Sequence, residues 1–387
     1  MAVVRWTENG TSFSTRWHSE NDTPAPARIV VVDDRTTAKA AYRMARGGTG
    51  LLWRGDFHNA RQLMRAMERL HSRSAPKVAG STAAALFHSH RATRAERARL
   101  LGSLLVVLEP DHTLRLRRAP DVRAACDHAY GAADGDAADG GVDGESRGTC
   151  VSLTELVGVL SAYQWNQQGV EVSALDARIH PAYGVFSPVR GEYVDLVAHT
   201  PFADGGAPPV VFDLGTGTGV LAAVLARRGV GRVVATDINP RAVSCARDNL
   251  HRLGLTDRVQ VREADLWPSG RADLIVCNPP WLPARPTSAL ELGIYDPGSD
   301  VLHRFLDGLA DHLTPAGEGW LVLSDLAEHL GLRTRDELLS HFAAGGLCVA
   351  GRNDTNPRHP RATDAADALH EARRREVTSL WRLRRDS

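Results

Sequence analysis

The sequence is poor in cysteine, and its few cysteines do not form pairs. Five are present among 387 residues, and none belongs to a CxxC motif. An odd number of widely spaced cysteines argues against a disulfide framework, and thiolate zinc sites are built from closely spaced pairs. We therefore expect neither disulfide bonds nor a metal site. The cysteines are Cys126, Cys150, Cys245, Cys277 and Cys348.

Long apolar runs are also missing. No segment approaches the about 18 apolar residues of a membrane-spanning helix, and the mean hydropathy is -0.24. The amino-terminal segment MAVVRWTENGTSFS lacks the basic patch and the apolar stretch of a secretory signal. With 43% hydrophobic and 24% charged residues, the chain is predicted to be a globular, cytoplasmic protein with no membrane partner.

An excess of charge of either sign is absent as well. Lysine plus arginine number 46, as do aspartate plus glutamate, so no global field draws the chain to nucleic acid. Only Lys39 and Lys77 are lysines, and the other cationic residues are arginines. We attribute this bias to codon usage in a GC-rich genome rather than to the suitability of arginine for phosphate.

The length predicts more than one domain, since about 150 residues per domain is typical. Between 121 and 150 the composition changes to alanine, glycine and aspartate, with few large apolar residues. We interpret 121–150 as an acidic linker. It would separate an amino-terminal α/β domain at 1–120, with a role in substrate recognition, from a larger domain at 151–387.

The amino-terminal part alternates between strand and helix patterns. Residues 28–33 and 50–53 are predicted strands, and 37–45, 59–70 and 93–101 are predicted helices. A hairpin is predicted from 104–108 and 113–117, around a Pro-Asp-His turn. The helix at 93–101 is rich in arginine, which we interpret as a solvent-facing surface rather than a binding site.

A glycine-rich turn follows a buried strand in the second half of the chain. From residue 210 the sequence VVFDLGTGTGVLAAVLARRGVGRVVATD gives strand, turn, helix and strand in order. Gly215, Gly217 and Gly219 allow a tight turn whose N–H groups face a ligand at the helix amino terminus. Asp237 ends the next strand, where a carboxylate can accept both hydroxyls of a ribose. The spacing alone fits a nicotinamide dinucleotide as well as other nucleoside cofactors.

The tetrapeptide Asn278, Pro279, Pro280 and Trp281 directly follows another buried strand, 271–277. In an open parallel sheet this is the edge at which ligands bind. Two prolines stiffen the loop and leave its carbonyls free to accept hydrogen bonds. An NH₂ group can therefore donate to the Asn278 side-chain oxygen and the Pro279 carbonyl while its planar carrier stacks on Trp281.

Residues 180–325 resemble the class I S-adenosylmethionine-dependent methyltransferases of the [ND]-PP-[YFW] group, which methylate planar nitrogens. DLGTGTG resembles their cofactor motif, EADLW (263–267) the motif that faces the adenine amine, and NPPW the acceptor loop. VFSPVRGEYVDLV (185–197) loosely resembles a segment of the release-factor glutamine methyltransferases, although Trp281 replaces their usual tyrosine. The resemblance implies a Rossmann-like sheet, S-adenosyl-L-methionine as cofactor and no metal. The additional amino-terminal α/β domain is predicted from its strand and helix patterns and departs from the small helical domain of the glutamine methyltransferases.

The resemblance also implies the roles of individual residues. The acceptor loop would be formed by Asn278, Pro279, Pro280 and Trp281. The cofactor would be bound by Asp213, Gly215, Thr216, Gly217, Gly219, Asp237, Ile238, Asp265, Leu266 and Asn278, with Asp213 near the methionine end, Asp237 at the ribose and Asp265 at the adenine.

Two functions remain open at this point. The first is N-methylation of an exocyclic base amine in RNA or DNA, or of a side-chain amide in a protein. With an RNA or DNA acceptor the chain would also be a nucleic-acid-binding protein. The alternative is N-methylation of a small metabolite. A basic groove beside Trp281 would favour nucleic acid, and a closed pocket would favour a metabolite.

Overall fold

The computed structural model describes residues 2–74, 79–133, 145–203, 205–358, 364 and 367–386. The chain forms two compact units. The first contains residues 1–79 and 88–164, and the second contains residues 80–87 and 165–387. None of the helices in the described ranges is both long and apolar enough to cross a membrane.

The first unit is a mixed sheet with helices. Its six strands have the order β1-β2-β6-β5-β4-β3. β3, β4 and β5 are parallel to one another, β1 and β2 form an antiparallel hairpin, and β6 runs antiparallel to β5. The elements are β1 (Val3–Glu8), β2 (Thr11–Trp17), β3 (Arg28–Val32), α1 (Ala38–Arg46), β4 (Thr49–Trp53), α2 (Phe57–Ser74), α3 (Ala83–Leu101), β5 (Leu104–Leu108), α4 (Arg123–Tyr130), β6 (Glu145–Ser152) and α5 (Leu153–Gln168). Residues 83–87 of α3 and 165–168 of α5 are assigned to the second unit.

Two expectations for this unit differ from the structure. The predicted linker 121–150 contains α4 and most of β6, which belongs to the sheet, while 134–144 lie outside the described residues. Its composition was misleading because α4 buries only small side chains, those of Ala125, Cys126 and Ala129. The predicted hairpin of 104–108 with 113–117 is present only at its turn: the Glu109 N–H donates to the Thr113 carbonyl at 2.9 Å, and Leu108 forms one antiparallel bridge with Leu114, while β5 otherwise pairs with β4 and β6.

The second unit contains a seven-stranded sheet of order β11-β10-β9-β12-β13-β15-β14. Among its pairings, only those of β15 with β13 and β14 are antiparallel. The elements are β7 (Val170–Val172), β8 (Ala177–Ile179), α6 (Gly191–His199), β9 (Val210–Leu214), α7 (Val220–Arg227), β10 (Arg232–Asp237), α8 (Pro240–Arg252), β11 (Val259–Glu263), β12 (Ala272–Cys277), α9 (Asp300–His312), β13 (Leu313–Ser324), α10 (Leu326–His329), α11 (Arg335–Ala344), β14 (Leu347–Thr355), α12 (His370–Arg375) and β15 (Thr378–Arg385).

Helices cover both faces of this sheet, which agrees with the apolar runs 210–212 and 274–277 in its central strands. On one face, Val211 and Val276 pack with residues of α6, α7 and α8. On the other, Phe212 and Ile275 pack with residues of α9 and α11. This arrangement confirms the predicted Rossmann-like α/β class for the second unit, and β15 is its antiparallel strand.

Candidate active site

The glycine loop and the NPPW tetrapeptide meet at one point of the second unit's sheet. β9 and β12 are neighbours, and the chain leaves β9 toward β10 and β11 on one side before it returns to β12 on the other. The strand order therefore reverses between β9 and β12, where open α/β sheets bind ligands beyond the carboxyl ends of the strands. Gly215 follows β9 and Asn278 follows β12, so both lie at this crevice.

Glycine is required at the three positions of the loop for different structural reasons. All adopt positive φ, +70° at Gly215, +55° at Gly217 and +80° at Gly219. A Cβ added at Gly219 would lie 3.2 Å from the Cβ of Ala246 in α8, so this glycine permits close packing of two helices. A Cβ at Gly215 or Gly217 would meet nothing within 4 Å. These two glycines border open space, as the backbone of a ligand-binding loop must.

Asp237 joins the loop to the neighbouring strand. Its Oδ2 accepts a hydrogen bond from the Gly217 N–H at 2.9 Å, and its Oδ1 accepts one from the Asn239 N–H at 2.9 Å. Burial raises the pKa of this carboxyl. Each carboxylate oxygen has a further lone pair for an incoming hydroxyl. The next residue, Ile238, is 66% exposed and provides an apolar surface beside the carboxylate.

Asp213 is directed into the protein rather than toward solvent. It is buried, and its Oδ2 accepts hydrogen bonds from the Thr216 hydroxyl at 2.6 Å and from the Ala222 N–H at 3.1 Å. Burial raises the pKa of Asp213 to about 6. The carboxylate thus connects the strand, the glycine loop and the first turns of α7. Its predicted role near the methionine end of the cofactor stays a prediction.

The segment after β11 places Asp265 and Leu266 differently from each other. The Asp265 carboxylate is half-exposed and forms an ion pair with Arg304 of α9 at 2.7 Å. Leu266 is buried with φ +67°, and its carbonyl accepts a hydrogen bond from the Thr236 hydroxyl at 2.7 Å. The sequence did not predict the arginine partner, and the role of Asp265 toward an adenine amine stays a prediction.

These residues fit an adenosyl cofactor. Gly215 and Gly217 leave room for a ligand at the end of β9, Asp237 offers carboxylate oxygens beside them, and Ile238 offers an apolar surface on which a base can lie. In the described part of the chain, no three histidine, cysteine or acidic side chains gather in a way that could hold a metal ion.

The tetrapeptide has an internal hydrogen bond that fixes its asparagine. The Trp281 indole N–H donates to the Asn278 Oδ1 at 2.9 Å. The amide oxygen keeps a second lone pair, and both side chains are half-buried. The Trp281 backbone N–H donates to the Ile294 carbonyl at 3.1 Å, so the chain after the tetrapeptide doubles back on it. Asn278 therefore presents an acceptor whose direction is set by its neighbour.

Arg190 was not among the predicted site residues, but it contacts the tetrapeptide. Its guanidinium lies over the Trp281 ring, 4.8 Å from the centroid, within the range of a cation–π interaction. The same guanidinium donates to Glu192 at 2.7 Å and to Glu376 at 2.9 Å, and both carboxylates are buried. The only signal for Arg190 in the sequence was its place in the 185–197 segment.

The site thus combines a ligand-binding loop with an oriented acceptor oxygen. An amide or aromatic amine is a poor nucleophile because its lone pair is delocalised. A fixed oxygen that accepts its N–H favours the more pyramidal, more cationic nitrogen of an alkylation transition state. Trp281 directs the Asn278 oxygen and Arg190 lies over the Trp281 ring, while the role of Asn278 toward an acceptor nitrogen stays a prediction.

The chain matches known proteins over the second unit. A family model described as "Methyltransferase small domain" matches residues 179–343. The release factor glutamine methyltransferase of Moorella thermoacetica is 30% identical over 200 residues, which cover 46% of this chain and 70% of that protein. The protein of the same name from Cereibacter sphaeroides is 36% identical over 121 residues, covering 28% and 44%.

A second kind of relative matches a shorter stretch. The ribosomal protein L11 methyltransferase of Pelotomaculum thermopropionicum is 51% identical over 70 residues, which cover 18% of this chain and 23% of that protein. The chain therefore spans less than half of the Cereibacter relative and less than a quarter of the Pelotomaculum relative.

Proposed function

We propose that this chain, which belongs to the class I S-adenosylmethionine-dependent methyltransferases of the methyltransferase small domain family, methylates a planar nitrogen of a macromolecule. The acceptor is an exocyclic base amine of RNA or DNA, or a side-chain amide of a protein. The observation that carries this proposal is the Asn278 amide oxygen, oriented by Trp281 at the end of β12 and adjacent to the glycine loop at the end of β9.

In this proposal the cofactor is held by the predicted residues at the end of β9 and β10. Gly215 and Gly217 provide the loop, Asp237 accepts ribose hydroxyls, and Ile238 packs against the adenine. Thr216, Asp213 and Leu266 support this surface from within the fold, since their polar atoms are bonded to neighbouring backbone or side chains. The bound cofactor supplies an electrophilic methyl group on a sulfonium.

The acceptor loop positions the nitrogen. The Asn278 oxygen accepts one N–H of the acceptor, and the Pro279 carbonyl accepts a second. Pro280 stiffens the loop, and the planar carrier stacks on the half-buried ring of Trp281, which Arg190 also contacts. Alignment of the nitrogen with the methyl group then accounts for much of the rate enhancement.

The names of the relatives favour a macromolecular acceptor over a metabolite. The proteins that this chain resembles are named as methyltransferases of release factors and of ribosomal protein L11. The residues 179–343 that match the family model lie in the second unit, and in this proposal the first unit serves to recognise a large substrate.

The test compares cells with and without the gene. RNA, DNA and protein from both are analysed by mass spectrometry for a methylated nitrogen that disappears in the deletion strain. Restoring the wild-type gene should restore the mark, and restoring the Asn278→Ala variant at equal protein level should not. The proposal is wrong if all three macromolecule pools are identical and only a small metabolite loses a methyl group.

A further inference from the structure

Three helices of the first unit concentrate positive charge in a chain whose total charge is zero. α1, α2 and α3 together carry eleven lysine and arginine residues and only two acidic residues, Glu68 and Glu96. The eleven are Lys39, Arg43, Arg46, Arg61, Arg65, Arg69, Arg73, Arg91, Arg94, Arg97 and Arg99. We name this set the basic helical layer. The balance of the whole chain conceals it, because acidic residues elsewhere compensate.

The helices of the layer are joined to one another. α1 packs on α2, and the Tyr42 hydroxyl of α1 hydrogen-bonds to the Ser74 hydroxyl at the end of α2 at 2.5 Å. α2 is linked to α3 by an ion pair between Glu68 and Arg97, with the Arg97 Nε donating at 2.8 Å. One of the two acidic residues of the layer is therefore engaged by one arginine, and the cationic excess remains.

α2 arranges its arginines as a stripe. Arg61, Arg65, Arg69 and Arg73 follow one another at intervals of four residues, so successive side chains are about 6 Å apart along the helix axis. The opposite side of the helix is buried through residues such as Leu63 and Met67. Arg65, Arg69 and Arg73 are exposed, and the stripe thus faces solvent along most of the helix.

We propose that the basic helical layer binds the phosphate backbone of RNA. A regular row of cations fits a polymer with one anion per unit, because each cation can neutralise one phosphate. A membrane surface is disfavoured because the apolar side of α2 is used in the core and cannot insert among lipids.

We choose RNA rather than duplex DNA as the ligand because of the proposed function, on which this step rests. A base amine must be unpaired to reach the Asn278 oxygen, and RNA loops display unpaired bases without extrusion from a duplex. The basic helical layer would also bring the enzyme to a protein acceptor that is bound to RNA. RNA binding by the layer therefore does not depend on which macromolecule is methylated.

The experiment measures binding of the full-length protein to a fluorescein-labelled RNA hairpin with an unpaired loop, by anisotropy at several salt concentrations. The test variant is Arg65→Gln/Arg69→Gln/Arg73→Gln, since glutamine keeps the helix propensity of arginine. The control variant Arg5→Gln/Arg28→Gln/Arg115→Gln removes the same charge from exposed positions outside the layer. A third variant, Arg65→Lys/Arg69→Lys/Arg73→Lys, keeps the three positive charges.

We expect at least about tenfold weaker binding of the test variant, with a salt slope lower by about 2, because each lost contact with a single strand lowers it by about 0.7. The control and lysine variants should bind within about threefold of wild type. Equal loss in test and control variants, failure of lysine to restore binding, or absence of RNA binding would overturn the proposal. Tighter binding to a duplex DNA of equal length, or to polyglutamate, would overturn the choice of RNA.

The Asn278→Ala variant separates this inference from the proposed function. It should keep the salt slope of wild-type binding to the hairpin, because it removes a neutral group of the second unit and none of the cations of the basic helical layer. A protein that binds RNA through the layer but methylates no macromolecule refutes only the proposed function. A protein that methylates a macromolecule without using the layer refutes only the RNA-binding proposal.

Discussion

Replacement of Asn278 by alanine tests the chemistry of the site most directly. The variant deletes the oxygen that is oriented by the Trp281 indole at 2.9 Å, and it leaves the glycine loop and Asp237 untouched. Loss of one preorganised hydrogen-bond partner at a reacting centre costs about 2.7 to 4 kcal/mol. Methyl transfer should therefore slow by about two to three orders of magnitude, while the affinity for S-adenosylmethionine stays nearly constant.

A second variant separates the oxygen from its orientation. Trp281→Phe keeps Asn278 and an aromatic ring but removes the N–H donor. One neutral hydrogen bond is worth about 0.5 to 1.5 kcal/mol, so we expect a rate loss of about two- to tenfold, well below the loss in Asn278→Ala. If Asn278 acts only through packing, the two variants should instead be similar.

The assay uses the acceptor identified by mass spectrometry and measures two quantities on the same preparations. Single-turnover kinetics give the rate of methyl transfer, and calorimetry gives the dissociation constant of the cofactor. Equal rates for wild type and Asn278→Ala would refute the catalytic role of the tetrapeptide. A parallel loss of rate and cofactor affinity would show that Asn278 supports the fold of the cofactor site instead.

Three further predictions concern the cofactor loop. Asp237→Ala should weaken S-adenosylmethionine binding by about 2 to 3 kcal/mol in calorimetry, because a charged acceptor is lost; unchanged affinity, or NADH binding by the wild type, would contradict the assignment. Gly219→Ala should lower the melting temperature more than Gly217→Ala, because only the first would press a Cβ against Ala246 at 3.2 Å in addition to the shared cost of positive φ. Burial raises the pKa of Asp213 from 3.8 to about 6, so the folded protein binds this proton more tightly than the unfolded chain does. The contribution of Asp213 to the free energy of unfolding is therefore fully present below about pH 4 and falls by about 3 kcal/mol as the pH rises through 6. Urea unfolding of Asp213→Asn should lack this decrease, and a slope identical to that of wild type would show that the carboxyl is not perturbed.

The second unit was readable from sequence because its signals are local. Apolar runs such as 210–212 and 274–277 mark strands that helices cover on both faces, and the glycine turn and the tetrapeptide are contiguous. Their meeting at one edge follows from the topology of parallel sheets, which sequence order alone implies. The positions of Gly215 and Asn278 just beyond β9 and β12, and of Asp237 as the last residue of β10, therefore needed no tertiary information.

The first unit was less readable, although one signal was present and unused. Asn9 and Gly10 connect β1 and β2 with φ +53° and +81°, the geometry in which an Asn-Gly pair closes a two-residue hairpin. The position of β6 had no such signal. This strand pairs with β5 over Leu105–Leu108, more than thirty residues earlier, and its entry at Glu145 follows a stretch with few large apolar side chains.

The support of the acceptor loop shows where sequence reasoning ends. NPPW is contiguous and so can be recognised, but the guanidinium that covers Trp281 comes from Arg190, and that guanidinium is held by Glu376, which is 186 residues away in the chain. No pattern of spacing links such a pair. The consequence is specific: from sequence, a tyrosine at 281 is a conservative change because the ring is kept. In the structure, the change from tryptophan to tyrosine removes the indole N–H that orients Asn278. The tyrosine hydroxyl lies at the far end of its ring and is not placed to replace that hydrogen bond.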